Sequence, residues 1–130
     1  MDNTYHIFQW NKNIVVPPNA ERLTLQVLPP NLADLRRVFS QCPNVYRLDL
    51  RANMNHIHLA LLGATFTSLP LLATLDCFFA GFADKHLSEL FSNFSHFTQL
   101  RELNLASSSL TLTDEILLVQ LSQMSQLLRL

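Results

Sequence analysis

One short motif returns along the chain at nearly even intervals. Leu23-Thr24-Leu25, Leu48-Asp49-Leu50, Leu75-Asp76-Cys77, Leu103-Asn104-Leu105 and Leu128-Arg129-Leu130 place their first leucines 25, 27, 28 and 25 residues apart. A period of this size constrains the fold more tightly than composition does. Each unit is one supersecondary element too small to bury its own apolar face, so the units must stack and share a continuous core.

Aligning more positions sharpens the register. Val45, Leu72, Leu100 and Leu127 stand three residues before the first leucine of a motif, which makes Leu130 rather than Leu128 the equivalent of Leu103. Further upstream, Cys42, Leu69, Phe97 and Met124 form one column, and Phe39, Phe66, Phe94 and Leu121 form the next. Leu35, Leu62, Leu90 and Leu117 form another, and Leu32, Leu59 and Leu87 a shorter one that Asp114 breaks.

The columns carry two periods. Around each motif apolar and polar residues alternate, as in Arg47-Leu48-Asp49-Leu50-Arg51, which is the pattern of a strand with one buried face. Between motifs the apolar spacing becomes three and four. Leu32, Leu35 and Phe39 share one helical stripe, as do Leu59, Leu62, Phe66 and Leu69, and Leu87, Leu90, Phe94 and Phe97. Each unit therefore reads as a short strand followed by a helix of about three turns. Asn31, Asn55, Asp84 and Thr113 precede the stripes, where their side-chain oxygens can accept from the first free helical amides. Pro29 and Pro30 precede the first helix, where a missing amide costs nothing, and Pro43 and Pro70 follow the first two, where proline stops continuation.

Taken together, the motif Leu48-Asp49-Leu50-Arg51-Ala52-Asn53, with its L-x-L-x-x-N pattern, and the stretch from Leu87 to Leu100 resemble the leucine-rich repeat family in its longer, ribonuclease-inhibitor-like form. The resemblance spans about residues 21–130. It implies an α/β solenoid, a horseshoe segment with a parallel concave sheet and outer helices. Ala80, Ser108 and Leu28 stand where the family has the asparagine that Asn53 supplies, which implies looser turns in the units of Leu28 and Ala80, with Ser108 a partial substitute.

The 130 residues suit one domain, divided into an N-terminal cap over 1–20 and repeats over 21–130, about four repeats and the start of a fifth. Within the cap, His6, Phe8 and Trp10 alternate with Tyr5 and Ile7, and Ile14-Val15-Val16 follows a polar Asn11-Lys12-Asn13 turn. This segment is expected to cover the open edge of the first repeat. Leu127, Leu128 and Leu130 leave the other end apolar, which suggests a longer array or end-to-end self-association. Hydrophobic residues are 48% and charged residues 15% of the chain, with a net charge of −1 and no basic patch, which argues against electrostatic binding of nucleic acid. Apolar runs are interrupted well short of about 18 residues, so no membrane span is expected. The start, Met1-Asp2-Asn3-Thr4-Tyr5-His6, has no secretory pattern. Cys42 and Cys77 fall in apolar columns and read as buried free thiols, which favours a cytoplasmic setting.

The residues carrying specific information are those that alternate with the leucines. They form three columns: Arg22, Arg47, Thr74 and Glu102; Thr24, Asp49, Asp76 and Asn104; and Gln26, Arg51, Phe78 and Ala106. Arg47, Asp49, Arg51, Asp76, Phe78 and Asn104 are the candidate contacts for a protein partner on the concave face, with Phe78 the candidate aromatic anchor. Asp49 and Asp76, one repeat apart, could in principle share a proton or a metal. The simpler reading makes them solvated strand residues with Arg47 and Arg51 as counter-ions. His56, His58, His86 and His96 lack the spacing of a zinc site and read as solvated helix residues. With only Gly63 and Gly81, no glycine-rich phosphate loop can form, and no nucleophile elbow or metalloprotease motif is present. Gly63 reads as a packing residue where adjacent helices approach.

The expected role is a non-catalytic protein–protein interaction module, with no cofactor and no metal. The resemblance implies several settings for it: a bacterial effector in host cytosol, the substrate-recognition repeats of a ubiquitin-ligase receptor, or a regulatory segment of a larger protein.

Overall fold

The computed structural model describes residues 3–11, 13–27, 31–51, 63–76, 84–92, 100–104, 113 and 115–123. Five strands make one sheet: β1 (Thr4–Ile7), β2 (Arg22–Leu25), β3 (Arg47–Leu50), β4 (Thr74–Asp76) and β5 (Glu102–Asn104). Their spatial order is their chain order, and every pair is parallel. Helix α1 (Leu32–Ser40) lies between β2 and β3, α2 (Asp84–Leu90) between β4 and β5, and α3 (Glu115–Gln123) after β5. The architecture is α/β with a five-stranded parallel sheet.

The sheet register reproduces the sequence columns. Arg22 pairs with Arg47, Arg47 with Thr74 and Thr74 with Glu102. Thr24, Asp49, Asp76 and Asn104 form the next row but one, and Leu23, Leu48, Leu75 and Leu103 the row between. The ladder begins one residue before the strands: the amides of Tyr46, Ala73 and Arg101 donate to the carbonyls of Glu21, Tyr46 and Ala73 at 2.9, 2.8 and 2.7 Å.

The leucines explain why this register holds. Leu23, Leu25, Leu48, Leu50, Leu75 and Leu103 are fully buried on one face. A one-residue slip of any strand would move its leucines to the polar face, so burial of that one face specifies the pairing. The helical columns meet the same core, in which Leu35, Phe39, Cys42, Val45, Phe66, Leu69, Leu72, Leu90 and Leu100 are buried. Phe39 and Phe66, one repeat apart, bring their rings to 6.0 Å between centroids.

Strand β1 covers the open edge of β2 as a parallel partner, with Tyr5 beside Leu23 and Ile7 beside Leu25. A polar clamp secures the segment that follows. The side chain of Gln41, at the C-terminus of α1, accepts from the Val16 amide at 2.9 Å and donates to the Ile14 carbonyl at 3.2 Å. Val16 is thereby buried while Val15 faces outward.

The first helix begins at its expected cap and spans its stripe, whereas Asn55 lies outside the described residues. Asn31 has extended backbone at the start of α1, and its Oδ1 accepts from the Ala33 amide at 2.8 Å. Asp84 opens α2 as its first residue. The second connection is helical at residues 63–65 and tightens to a 3-10 turn over Phe66–Ser68 ahead of Pro70. The stripe from Leu87 predicts a helix through Phe97, whereas α2 stops at Leu90 and the chain turns at Phe91 and Ser92, with Phe91 fully buried. Gln120 of α3 compensates for this stop. Its buried Nε2 donates to the carbonyls of Ser88 and Phe91 at 3.0 and 3.1 Å, satisfying groups that a continuing helix would have paired.

Neighbouring connections pack side by side, α1 with the Phe66–Ser68 turn and α2 with α3. Gly63 permits a further close approach: a Cβ at this position would collide with the backbone carbonyl oxygen of Leu90. No side chain larger than hydrogen fits there, in keeping with its reading as a packing residue. The described residues include no helix long and apolar enough to cross a membrane.

Candidate functional site: the polar face of the sheet

The residues that alternate with the leucines line the other face. They are not simply solvated. Asp49 is fully buried and Asp76 is 5% exposed, so the reading of both as solvated strand residues is corrected. The cause is diagonal pairing across strands, in which arginine stems lie over the carboxylates and shield them.

Asp49 is saturated. Its Oδ2 accepts from Arg22 Nε at 2.9 Å and from Thr24 Oγ1 at 3.1 Å, and its Oδ1 accepts from Arg47 Nε at 3.0 Å. Burial pushes the Asp49 carboxyl upward. The hydrogen bonds and charges of Arg22 and Arg47 outweigh that push and hold it below the ordinary carboxylate range. Arg47 shows the reciprocal balance. Burial lowers its pKa, while the hydrogen bond and charge of Asp49 and the charges of Asp76 and Glu102 leave it raised overall.

Asp76 is the register partner of Asp49 on β4 and is held less completely. Its Oδ2 accepts from Arg47 Nη2 at 3.1 Å and from Asn104 Nδ2 at 3.5 Å, the long end of the hydrogen-bond range. Its Oδ1 is buried and has no hydrogen-bond partner among the described residues. Arg47 thus bridges two successive aspartates, and the chain Arg22–Asp49–Arg47–Asp76 runs obliquely over β2, β3 and β4.

Of the six candidate contacts, the structure brings Arg47, Asp49, Asp76 and Asn104 into this one network. Arg51 lies just beyond β3, half-buried, with its amide donating to the Leu25 carbonyl at 2.9 Å. Phe78 lies outside the described residues, as do Cys77, His56, His58, His96 and the side chain of His86. Arg22 and Thr24 are contributors that the candidate set omitted. The signal was available, because the register places both within diagonal or direct reach of Asp49. A counter-ion role for Arg22 follows from reading columns across strands rather than along them.

The two aspartates do not form an acid pair sharing a proton, since Arg47 lies between them and both Asp49 oxygens are occupied. Among the described residues, no group of three or more His, Cys, Asp or Glu is placed to hold a metal ion. Cys42 is buried and free, its thiol pushed up by burial to about 11, and it donates weakly to the Val38 carbonyl at 3.5 Å. A protonated thiol inside the core is a poor nucleophile. Comparison of the chain with family models, curated proteins and solved structures returned no match.

Proposed function

We propose that the chain is a solenoid segment of the leucine-rich-repeat type that binds a protein partner through the polar, concave face of its sheet and does no chemistry itself. The observation that carries this reading is the division of one sequentially ordered parallel sheet into a leucine face, wholly buried, and an opposite face on which charged side chains form a fixed lattice. Right-handed crossovers between parallel strands in sequential order put every connection on the same side. The buried leucines and the side-by-side packing of successive connections support that side being the leucine side. The polar side is then left to a ligand. Arg47, held by two carboxylates, and Arg22, held by one, have restricted positions, and fixed charges lose less freedom on binding than mobile ones.

By their shared column in the sequence, Arg51 and Phe78 are assigned to the same recognition surface. The test is affinity capture from lysate with the wild-type chain and with an Arg51→Glu/Phe78→Ala variant whose thermal unfolding matches wild type. The wild type is expected to retain specific proteins that the variant loses. Equal recovery by both would reject recognition through this face.

A further inference from the structure

The two aspartates of the lattice differ in one respect that points to a ligand. Arg22 and Arg47 together fill both oxygens of Asp49, whereas Asp76 receives one guanidinium nitrogen, one distant amide, and nothing at Oδ1. Its side chain is only 7% exposed, so solvent does not readily supply the missing donor. Buried acceptors in native proteins are paired, and an orphan calls for an explanation.

The neighbouring strand supplies a second acceptor. Register places Glu102 beside Thr74 and Asn104 beside Asp76, so Glu102 and Asp76 are diagonal neighbours on the same face. Glu102 is half-buried, and its carboxylate makes no hydrogen bond or ion pair among the described residues, although its charge acts on Arg47. Arg47 already divides itself between Asp49 and Asp76. Among the described ion pairs, Arg22 and Arg47 serve Asp49 and Asp76, and Glu102 at the β4–β5 end is paired with neither.

We propose that the Asp76–Glu102 corner receives a basic side chain, a lysine or arginine, from the protein partner. This rests on the reading of the polar face as the recognition surface and specifies the chemistry it recognises there. An arginine fits best, because its planar fork can donate to acceptors on two adjacent strands at once. Access requires a small local change. The Asp76 carboxylate turns about its Cβ–Cγ bond, and the Asn104 amide, its longest contact at 3.5 Å, is the first to yield. A divalent ion is a poorer fit, since it needs six or more oxygens and would compete with Arg47 for the same carboxylate.

The test uses the full chain, isotope-labelled for NMR and titrated at low salt with blocked tri-arginine, tri-lysine and tri-glutamate peptides and with calcium chloride. Tri-arginine is expected to give saturable shifts at the Asp76 and Glu102 amides and the Asn104 side-chain amide. Asp76→Asn and Glu102→Gln, each with wild-type thermal unfolding, are expected to weaken this binding at least five-fold. Asp34→Asn, altering an exposed acid on α1, is expected to leave it unchanged. Shifts that persist undiminished in Asp76→Asn, that follow every acidic residue equally, or that calcium reproduces while tri-arginine does not, would overturn the proposal. Should Arg51→Glu/Phe78→Ala abolish capture of a partner while tri-arginine ignores Asp76, the recognition face stands and this assignment falls. Should both experiments fail, both fall.

Discussion

Asp49 and Asp76 are the same residue at paired positions of adjacent strands, and their surroundings have made different things of them. Around Asp49, an arginine from the preceding strand, an arginine two residues before it and a threonine close on both oxygens. Around Asp76, the position equivalent to Arg47 is Thr74, which carries no charge, and the next strand offers Glu102 and Asn104. Among the described residues, the only guanidinium reaching Asp76 comes from the strand before it and is shared. Equivalent register positions thus need not share an electrostatic environment. One node is finished within the chain, and the other is left with acceptor capacity. The lattice is part structure and part surface, and the boundary between the two falls between β3 and β4.

The contrast can be attacked from the scaffold outward. Leu48 lies under both nodes, fully buried in the central strand. Leu48→Ala should lose about 2–5 kcal/mol in urea unfolding, more than any polar change on the opposite face. Asp49→Asn comes next, at about 1–3 kcal/mol, because it leaves two arginines facing a group that no longer carries charge. An Asp49→Asn loss under half a kilocalorie would show that solvent compensates both arginines and would dissolve the distinction between the nodes.

The same substitution has a signature in acid. The Asp49 carboxyl titrates lower in the folded chain than in the unfolded one, so its contribution is fully present above the ordinary aspartate range. That contribution is lost as pH falls from about 4 toward the lower folded value. Wild type should therefore lose more stability than Asp49→Asn between pH 7 and pH 2.5, measured by urea midpoints. Parallel acid losses in the two proteins would contradict the pairing.

Smaller effects separate the two halves of Arg47. Double-mutant cycles with Arg47→Ala should give a coupling of about 1 kcal/mol to Asp49 and about half that or less to Asp76. Smallest of all, Asp76→Asn should change stability by no more than about 0.5 kcal/mol, because the oxygen it replaces can be the one with no partner. A loss as large as that of Asp49→Asn would mean that Asp76 is a structural residue and not a docking one.

The strand columns were legible because a buried leucine face tolerates only one register. The rows Thr24–Asp49–Asp76–Asn104 and Arg22–Arg47–Thr74–Glu102 follow directly from aligning the leucines. The burial of Asp49 was not legible in the same way. Alternation along one strand says which face a residue takes, and nothing about the long side chains that lean over it from the next strand. Helix ends were the other blind spot. Spacing of three and four identifies the face that Leu87 and Leu90 share but sets no length, and the carbonyls at the end near Leu90 are met by Gln120, far along the chain. Gln41 and Gln120 have no periodic signal. They became meaningful only when the fold brought their amides to backbone groups far away in the chain.

The sequential strand order bears also on how the chain assembles. Each strand pairs only with the strands immediately before and after it in the sequence, at steps of eighteen residues from Thr4 to Arg22 and then of 25, 27 and 28. No pairing waits for distant parts of the chain to find each other, so loop-closure cost is similar at every step and ordering can spread from one unit to the next. Such a chain has no single gate to unfolding. The central strand of the sheet is expected to exchange its amides most slowly, at Leu48–Leu50, and the outer strands β1 and β5 faster.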